Sequence, residues 1–419
     1  MTFTKIALAG GTALTLSMTM AIADENKAYL AQTGTENSAL ITQSGSYNQA
    51  GSALDAMVQR GDSAVAGYNS LTITQSSDNN EIGLTNGGVD QLHTLQSGTR
   101  NPRNEATLTQ SGGGSNVIGG VSQHSKGGPG TANTSNVLTV TQDGTANTLA
   151  SVDQVGKPND SNVATVTMSG TGSNIDLVQQ GVSNSGSGTN TLTIAMSGAD
   201  NGIGDFSAGG AAALSGATAA NFVQAIATRT TANVIISGTN NLVGTKQSGR
   251  NNAVGTLEVG GADNQLGVRQ DGAFNTMTVA AITGTGNNVG VSQVGDSNLA
   301  SVVTTGDRNA FYVAQNGVSN EASVTIDGND NGQANSFTGF AASLGLSSGL
   351  FDQAGDDNGL TFSATGNMNA FATKQDGADN AITGSQTGDM NQVAVLQAGG
   401  ANMASFSQSG NGNNAAISQ

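Results

Sequence analysis

The sequence predicts an all-β fold, a β-solenoid whose strand-turn-strand coils stack into two parallel sheets. Three observations predict it. A Gly-x-x-Asn unit recurs at a step of eleven residues, a Gln recurs at about twice that step, and the residues between turns alternate with period two.

Composition narrows the class first. The 419 residues would normally suggest two or three globular domains. Only 36% are hydrophobic, 4% are aromatic, none is Trp and 61 are Gly, which is poor in apolar residues for ordinary globules. Only 10% are charged, which is too few for a typical disordered chain. Polar repeats and fibres remain. The net charge of −16 without Lys/Arg clusters argues against a nucleic-acid partner. With no Cys, no disulfide holds the fold, and a long hydrogen-bonded ladder must do so.

Residues 1–23 read as a secretory signal. Lys5 precedes an apolar run through Leu8, Leu14, Leu16 and Ile22, and Ala21-Ile22-Ala23 is a small-x-small cleavage site. A secreted location follows. No later segment has the roughly 18 apolar residues of a spanning helix.

Residues 24–202 carry the repeat irregularly. Gln32-Thr33-Gly34 with Asn37, Gln43-Ser44-Gly45 with Asn48, Gln142-Asp143-Gly144 with Asn147, and Gln179-Gln180-Gly181 with Asn184 are intact. Insertions fall near Ser125 to Thr131 and at Lys157-Pro158. Residues 203–232 are Ala- and Gly-rich, lack the motif, and read as an insertion that marks a boundary between two solenoid blocks.

Residues 233–419 carry the regular repeat, with a second insertion at about 337–350. Turn glycines are Gly284, Gly295, Gly306, Gly317 and Gly328, then Gly355, Gly366, Gly377, Gly388, Gly399 and Gly410. Each is followed three residues later by Asn287, Asn298, Asn309, Asn320, Asn331, Asn358, Asn369, Asn380, Asn391, Asn402 or Asn413. Gln247, Gln270, Gln293, Gln315, Gln353, Gln375 and Gln397 mark every second arm. Between them the same position is plain, as at Ile282, Thr304 and Ile326.

In the arm from Asn298, the set Asn298, Ala300, Val302 and Thr304 is assigned inward and Leu299, Ser301 and Val303 outward. Glycine allows positive φ at the turn, and Asp, Asn and Ser supply local hydrogen bonds. One coil cannot bury its face alone, so about 15 to 17 coils must stack. Inward Asn and Gln then bond their counterparts one coil along, as ladders.

The centre of this unit, Gln293-Val294-Gly295-Asp296-Ser297-Asn298-Leu299-Ala300, resembles the curlin repeat. So do Gln397 to Ala404 and Gln408 to Ala415. The resemblance covers most of Gln32 to Gln419 outside the insertions. It implies a subunit of curli, the extracellular amyloid fibres of bacterial biofilms. It also implies a homopolymer, a nucleator partner at the cell surface and export through an outer-membrane pore.

Enzyme chemistry has little to use. His93 and His124 are the only histidines, and neither has a supporting motif. No cofactor and no small-molecule substrate are expected. Asp327 to Gly332 begins like a calcium loop, but Thr338 stands where the bidentate acid belongs.

Aspartates beside turn glycines, at Asp143, Asp271, Asp296, Asp307, Asp327, Asp376 and Asp389, carry two readings. They are turn formers, or gatekeepers whose repulsion slows premature stacking. Two rival functions also stand. Thr72-Ile73-Thr74, Thr107-Leu108-Thr109, Thr139-Val140-Thr141, Thr165-Val166-Thr167 and Thr191-Leu192-Thr193 resemble an ice-binding face, though their uneven spacing argues against one unbroken row. A soluble adhesin would need capped ends, and no cap is visible near Gln419.

Overall fold

The computed structural model describes residues 6–9, 25–33, 37–60, 68–84, 88–94, 103–126, 135–156, 161–181, 189–228, 230–333 and 335–419. Most of the secretory signal lies outside the described residues. The chain forms two compact units. The first is Met1–Asn201 with Phe222–Thr231, and the second is Gly202–Asn221 with Ala232–Gln419.

Each unit is a β-solenoid of two parallel sheets. In the second, one sheet stacks Leu242–Arg250, Gln265–Ala273, Asn288–Asp296, Ala310–Val318, Leu350–Ala354, Ala370–Asp376, Gln392–Ala398 and Asn414–Ser418. The facing sheet stacks Ala253–Ala262, Thr276–Thr285, Leu299–Thr305, Glu321–Asp327, Gly359–Thr365, Ala381–Thr387 and Met403–Ser409.

Alternation decides which side chains enter. Ala300, Val302 and Thr304 are buried, whereas Leu299, Ser301 and Val303 are only half-buried. Burying each Val or Ile contributes about 1.5–3 kcal/mol. Toward the later coils the core becomes aromatic. The rings of Phe351 and Phe371 stack at 5.1 Å, and Phe362 lies 4.9 Å from Phe371. Gly384 registers between Phe362 and Phe406, and a Cβ there would lie 2.1 Å from the Phe406 ring. Only glycine leaves room for that ring.

The turns have a fixed conformation. Gly295 sits at φ +105, and a Cβ on it would meet the Gly317 carbonyl oxygen at 2.1 Å. The stack itself therefore demands glycine there, in addition to the backbone angle. Two residues later the chain is again left-handed, at Ser297 (φ 60), Ser319 (φ 59), Met368 (φ 56) and Met390 (φ 56). Asn then opens the next arm.

In the first unit the Gln-bearing sheet stacks Leu30–Thr33, Met57–Arg60, Val89–Thr94, Val117–Lys126, Thr148–Gly156 and Leu177–Gln180. Its partner sheet stacks Ala39–Gln43, Leu71–Gln75, Ala106–Gly114, Thr139–Thr145, Thr165–Thr171 and Leu192–Ala199. Ladder glutamines here are 26 to 32 residues apart between Gln32 and Gln180, against 22 or 23 between Gln247 and Gln315. The extra residues include 61–67, 95–102, 127–134, 157–160 and 182–188, which lie outside the described set. In sequence all fall between a ladder Gln and the next ladder Asn. The insertions read from the sequence near 125–131 and 157–158 lie mostly outside the described residues. The glutamine and asparagine ladders continue on either side of these extra residues.

The Ala/Gly-rich segment is shorter than the sequence suggested. A strand resumes at Asn221–Thr228 and another at Thr231–Ile236. Gln224 accepts from Gln180 Nε2 at 3.0 Å and so belongs to the ladder. The true excursion is about residues 202–220, with a four-residue helix α1, Ala211–Leu214. The second excursion holds α2, Gly339–Ala342. Both lie on the outer face of the Gln-bearing sheet of the second unit.

Candidate functional site

The repeated feature of the described residues is a buried amide ladder. Gln247, Gln270, Gln293, Gln315, Gln353, Gln375 and Gln397 are all buried. Each donates through Nε2 to Oε1 of the next, at distances from 2.8 to 3.2 Å. The other Nε2 proton reaches a main-chain carbonyl of the opposite arm, as from Gln293 to Thr276 O (3.1 Å) and Gln315 to Leu299 O (3.0 Å). One side chain thus ties adjacent coils together and both sheets of one coil. Burying so many amides is tolerable only because their polar atoms are paired.

The asparagines form two columns. Asn298, Asn320, Asn380 and Asn402 belong to one, and Asn309, Asn369 and Asn391 to the other. Asn298 shows the pattern. Its Nδ2 donates to Asn275 Oδ1 (3.0 Å) and Gly317 O (2.9 Å), and its Oδ1 accepts from Asn320 N and Nδ2 (both 3.0 Å). Gly295, Gly306, Gly317, Gly328, Gly366, Gly377, Gly388 and Gly399 all sit at positive φ, from +98 to +135.

The seven aspartates do not face one another. Asp271 registers between Ser248 and Val294, and Asp376 between Ala354 and Ala398. Asp327 stands between Thr305 and Thr365, and Asp143 between Ser111 and Ser169. Asp296, Asp307 and Asp389 follow the glycine instead. They accept the backbone N–H of Ala273, Thr285 and Asn367 one coil back. Stacking within the chain therefore does not bring these carboxylates side by side, contrary to the sequence reading.

The calcium-like segment is likewise occupied with the stack. Asn331 lies in a ladder, and Asp330 takes a fork from Arg308 (both bonds 2.7 Å) that holds its carboxyl below the ordinary range. Among the described residues no group of three His, Cys, Asp or Glu is placed to hold a metal ion. His124 registers with Leu92 and His93 with Ser125, so the two histidines are out of step.

Sequence reasoning missed most of the first unit's ladder. Gln32, Gln59, Gln91, Gln123, Gln154 and Gln180 are linked Nε2 to Oε1. A second column links Gln43, Gln75, Gln110 and Gln142, and a third begins with Asn37, Asn69 and Asn104. Their spacing was hidden by the extra residues between rungs.

The Thr pairs are also better aligned than their spacing suggests. Thr72, Thr107, Thr139, Thr165 and Thr193 share one outward column, and Thr74, Thr109, Thr141 and Thr167 the next. The row is unbroken, which corrects the argument from spacing; Thr191 alone falls outside it.

The ladders have two kinds of end. Among the described residues Gln32 Oε1, Asn37 Oδ1 and Gln43 Oε1 have no donor, although these residues are only 3%, 2% and 5% exposed. Ile6–Ala9 pairs with Leu30–Thr33 and places Leu8 in register with Gln32, a residue with no side-chain donor. At the other end, Gln397 donates to Gln419, whose own Nε2 reaches Met403 O, and Gln408 Nε2 reaches Gln392 O. Among the described residues neither meets a further amide of its column.

Among the described residues no helix is long and apolar enough to cross a membrane. No curated protein matches the chain. Residues 23–51 match the family model of the curlin associated repeat, a structural rather than enzymatic family. That span contains Gln32, Asn37 and Gln43, which are the first rungs of three of the ladders above. The chain thus carries the curlin associated repeat, at the start of a parallel β-solenoid.

Proposed function

We infer that the chain is the structural subunit of an extracellular curli-like amyloid fibre, contributing to adhesion and biofilm matrix. It assembles with copies of itself, end to end, by strand stacking. The observation that carries this reading is the pair of ladder ends. Among the described residues the buried acceptors on Gln32, Asn37 and Gln43 lack donors, and Asn414–Ser418 and Met403–Ser409 each pair on one side only. A buried unpaired acceptor costs about 1–3 kcal/mol, and a donor from another copy recovers it. Open strand edges template addition of a further chain.

The N-terminal segment fits this logic. Ile6–Ala9 covers the Leu30–Thr33 edge. Signal cleavage after Ala23 then uncovers the growing end only after export. A surface nucleator and an outer-membrane pore are the partners this scheme calls for. The test is thioflavin T fluorescence of the processed chain at micromolar concentration. A lagged rise that preformed seeds shorten supports the reading, and a chain that stays monomeric and β-rich overturns it.

The aligned Thr columns favour a second reading, an ice-binding face on the first unit. Rows repeating at about 4.8 Å suit an ordered water layer. Thermal hysteresis by the unassembled chain, lost in Thr109→Leu, supports it; no hysteresis removes it.

A further inference from the structure

The two excursions dock alike. In the first, Ser207 N donates to Gln265 Oε1 (2.9 Å), Ala212 N donates to Asn288 Oδ1 (2.6 Å), and Asn288 Nδ2 donates to Gln265 Oε1 (3.1 Å). In the second, Thr338 N donates to Gln392 Oε1 (2.7 Å), Ala341 N to Asn414 Oδ1 (2.8 Å), and Asn414 Nδ2 to Gln392 Oε1 (3.0 Å). Counted in chain order along the Gln-bearing arms, with Asn221–Thr228 first after the first excursion and Leu350–Ala354 first after the second, the clasping amides stand in both cases on the third and fourth strands.

Small residues make the seat. Beneath the first excursion runs the column Gly244, Gly267, Gly290. A Cβ on Gly290 would lie 1.9 Å from Ala211 O, and one on Gly267 2.3 Å from Ala212 O. Beneath the second runs Ala372, Ala394, Ala416.

The two differ in what comes next. α1 also lies against the fifth strand, Ala310–Val318. That strand puts Tyr312 in the column, beside Gly290 and the α1 backbone. α2 lies against the third and fourth strands, Gln392–Ala398 and Asn414–Ser418. No strand among the described residues fills its fifth place, and Phe340 of α2 is 72% exposed.

One strand elsewhere in the chain has the required pattern. Tyr29-Leu30-Ala31-Gln32-Thr33-Gly34 matches Tyr312-Val313-Ala314-Gln315-Asn316-Gly317. Each Tyr stands three residues before a ladder Gln, and Gln32 Oε1 is the buried acceptor without a donor.

We propose that the second excursion is a strap. It reaches past the Asn414–Ser418 edge and holds the Tyr29 strand of a second copy at the fifth place. The proposal rests on the end-to-end reading above and adds the register and the contact. It also assigns the apolar surface of Phe340 to this junction.

The chain has no Cys, so engineered thiols report alone. Tyr29→Cys and Phe340→Cys are prepared as separate processed chains, mixed, assembled and oxidised. The expected product is a dimer with one chain of each kind, absent when either variant is oxidised with wild type. Leu54→Cys, at a 95% exposed position, replaces Phe340→Cys as the control and gives none. Asn414→Ala, which removes a strap anchor, is expected to lower the cross-link yield several-fold with β content unchanged. Fibres that form without the Tyr29–Phe340 cross-link overturn the strap and leave end-to-end assembly standing. Failure to assemble at all, by wild type as well, overturns both.

Discussion

Asn298→Ala and Asn402→Ala make the same chemical change at an inner rung and at an end rung of one ladder. At Asn298 the truncation removes the only acceptor found for the Asn320 N–H and takes a donor from Gly317 O. Asn320 Nδ2 keeps its bond to Gly355 O (2.7 Å), and Asn275 Oδ1 keeps the Asn298 N–H (3.0 Å). One orphaned N–H and one depleted carbonyl, at about 1–3 kcal/mol each with the small void added, give about 3–5 kcal/mol. At Asn402 no rung lies beyond among the described residues. Its Nδ2 donates to Asn380 Oδ1 (2.9 Å) and to the partly exposed Ala398 O (3.1 Å), so the loss is about 1 kcal/mol. Native-state hydrogen exchange on unassembled chain reads the difference, as a loss of protection about a hundredfold larger around Asn298. In fibres Asn402 becomes an inner rung, and its substitution costs as much as Asn298→Ala. Equal effects in the unassembled chain, or no rise at Asn402 on assembly, would refute the ladder energetics.

Other perturbations follow from the same geometry. Gly317→Ala places a Cβ 2.0 Å from Gly355 O at φ +135, and is expected to lower stability by more than about 3 kcal/mol in urea unfolding. Met390→Gly relieves a left-handed residue with a half-exposed side chain, and should raise stability by about 1 kcal/mol in the same assay. Burial pushes the Asp352 carboxyl up, with Lys374 opposing. The folded chain therefore holds this proton more tightly than the unfolded chain, and stability falls as pH rises from the ordinary value of 3.8 through the raised one. Asp352→Asn should flatten that slope and raise the melting temperature at neutral pH; an unchanged pH profile counts against the assignment.

The two parallel sheets were legible because one face must be buried in every coil, and period two in Asn298, Ala300, Val302 and Thr304 records that requirement directly. The turn glycines were legible because positive φ and the next coil's carbonyl exclude every other side chain. The first unit was less so. Register there is kept by hydrogen bonds between Gln32, Gln59, Gln91 and Gln123, while residues of variable number separate them in sequence. Spatial phase survived where sequence phase did not, and the Thr columns were misjudged for the same reason. The left-handed residue two after each glycine left no compositional trace, since Ser, Asp, Met, Ala and Arg all occupy it. The excursions were visible only as lost motif; their seat, the Gly244-Gly267-Gly290 column, reads in sequence as ordinary strand glycine.

The most direct test of the central claim is X-ray diffraction from aligned fibres of the processed chain. Coils of one copy that continue those of the next give a meridional reflection at about 4.7–4.8 Å along the fibre axis, because that spacing is the strand repeat of the solenoid itself. Fibres that lack this reflection, or carry it across the axis, would contradict end-to-end stacking.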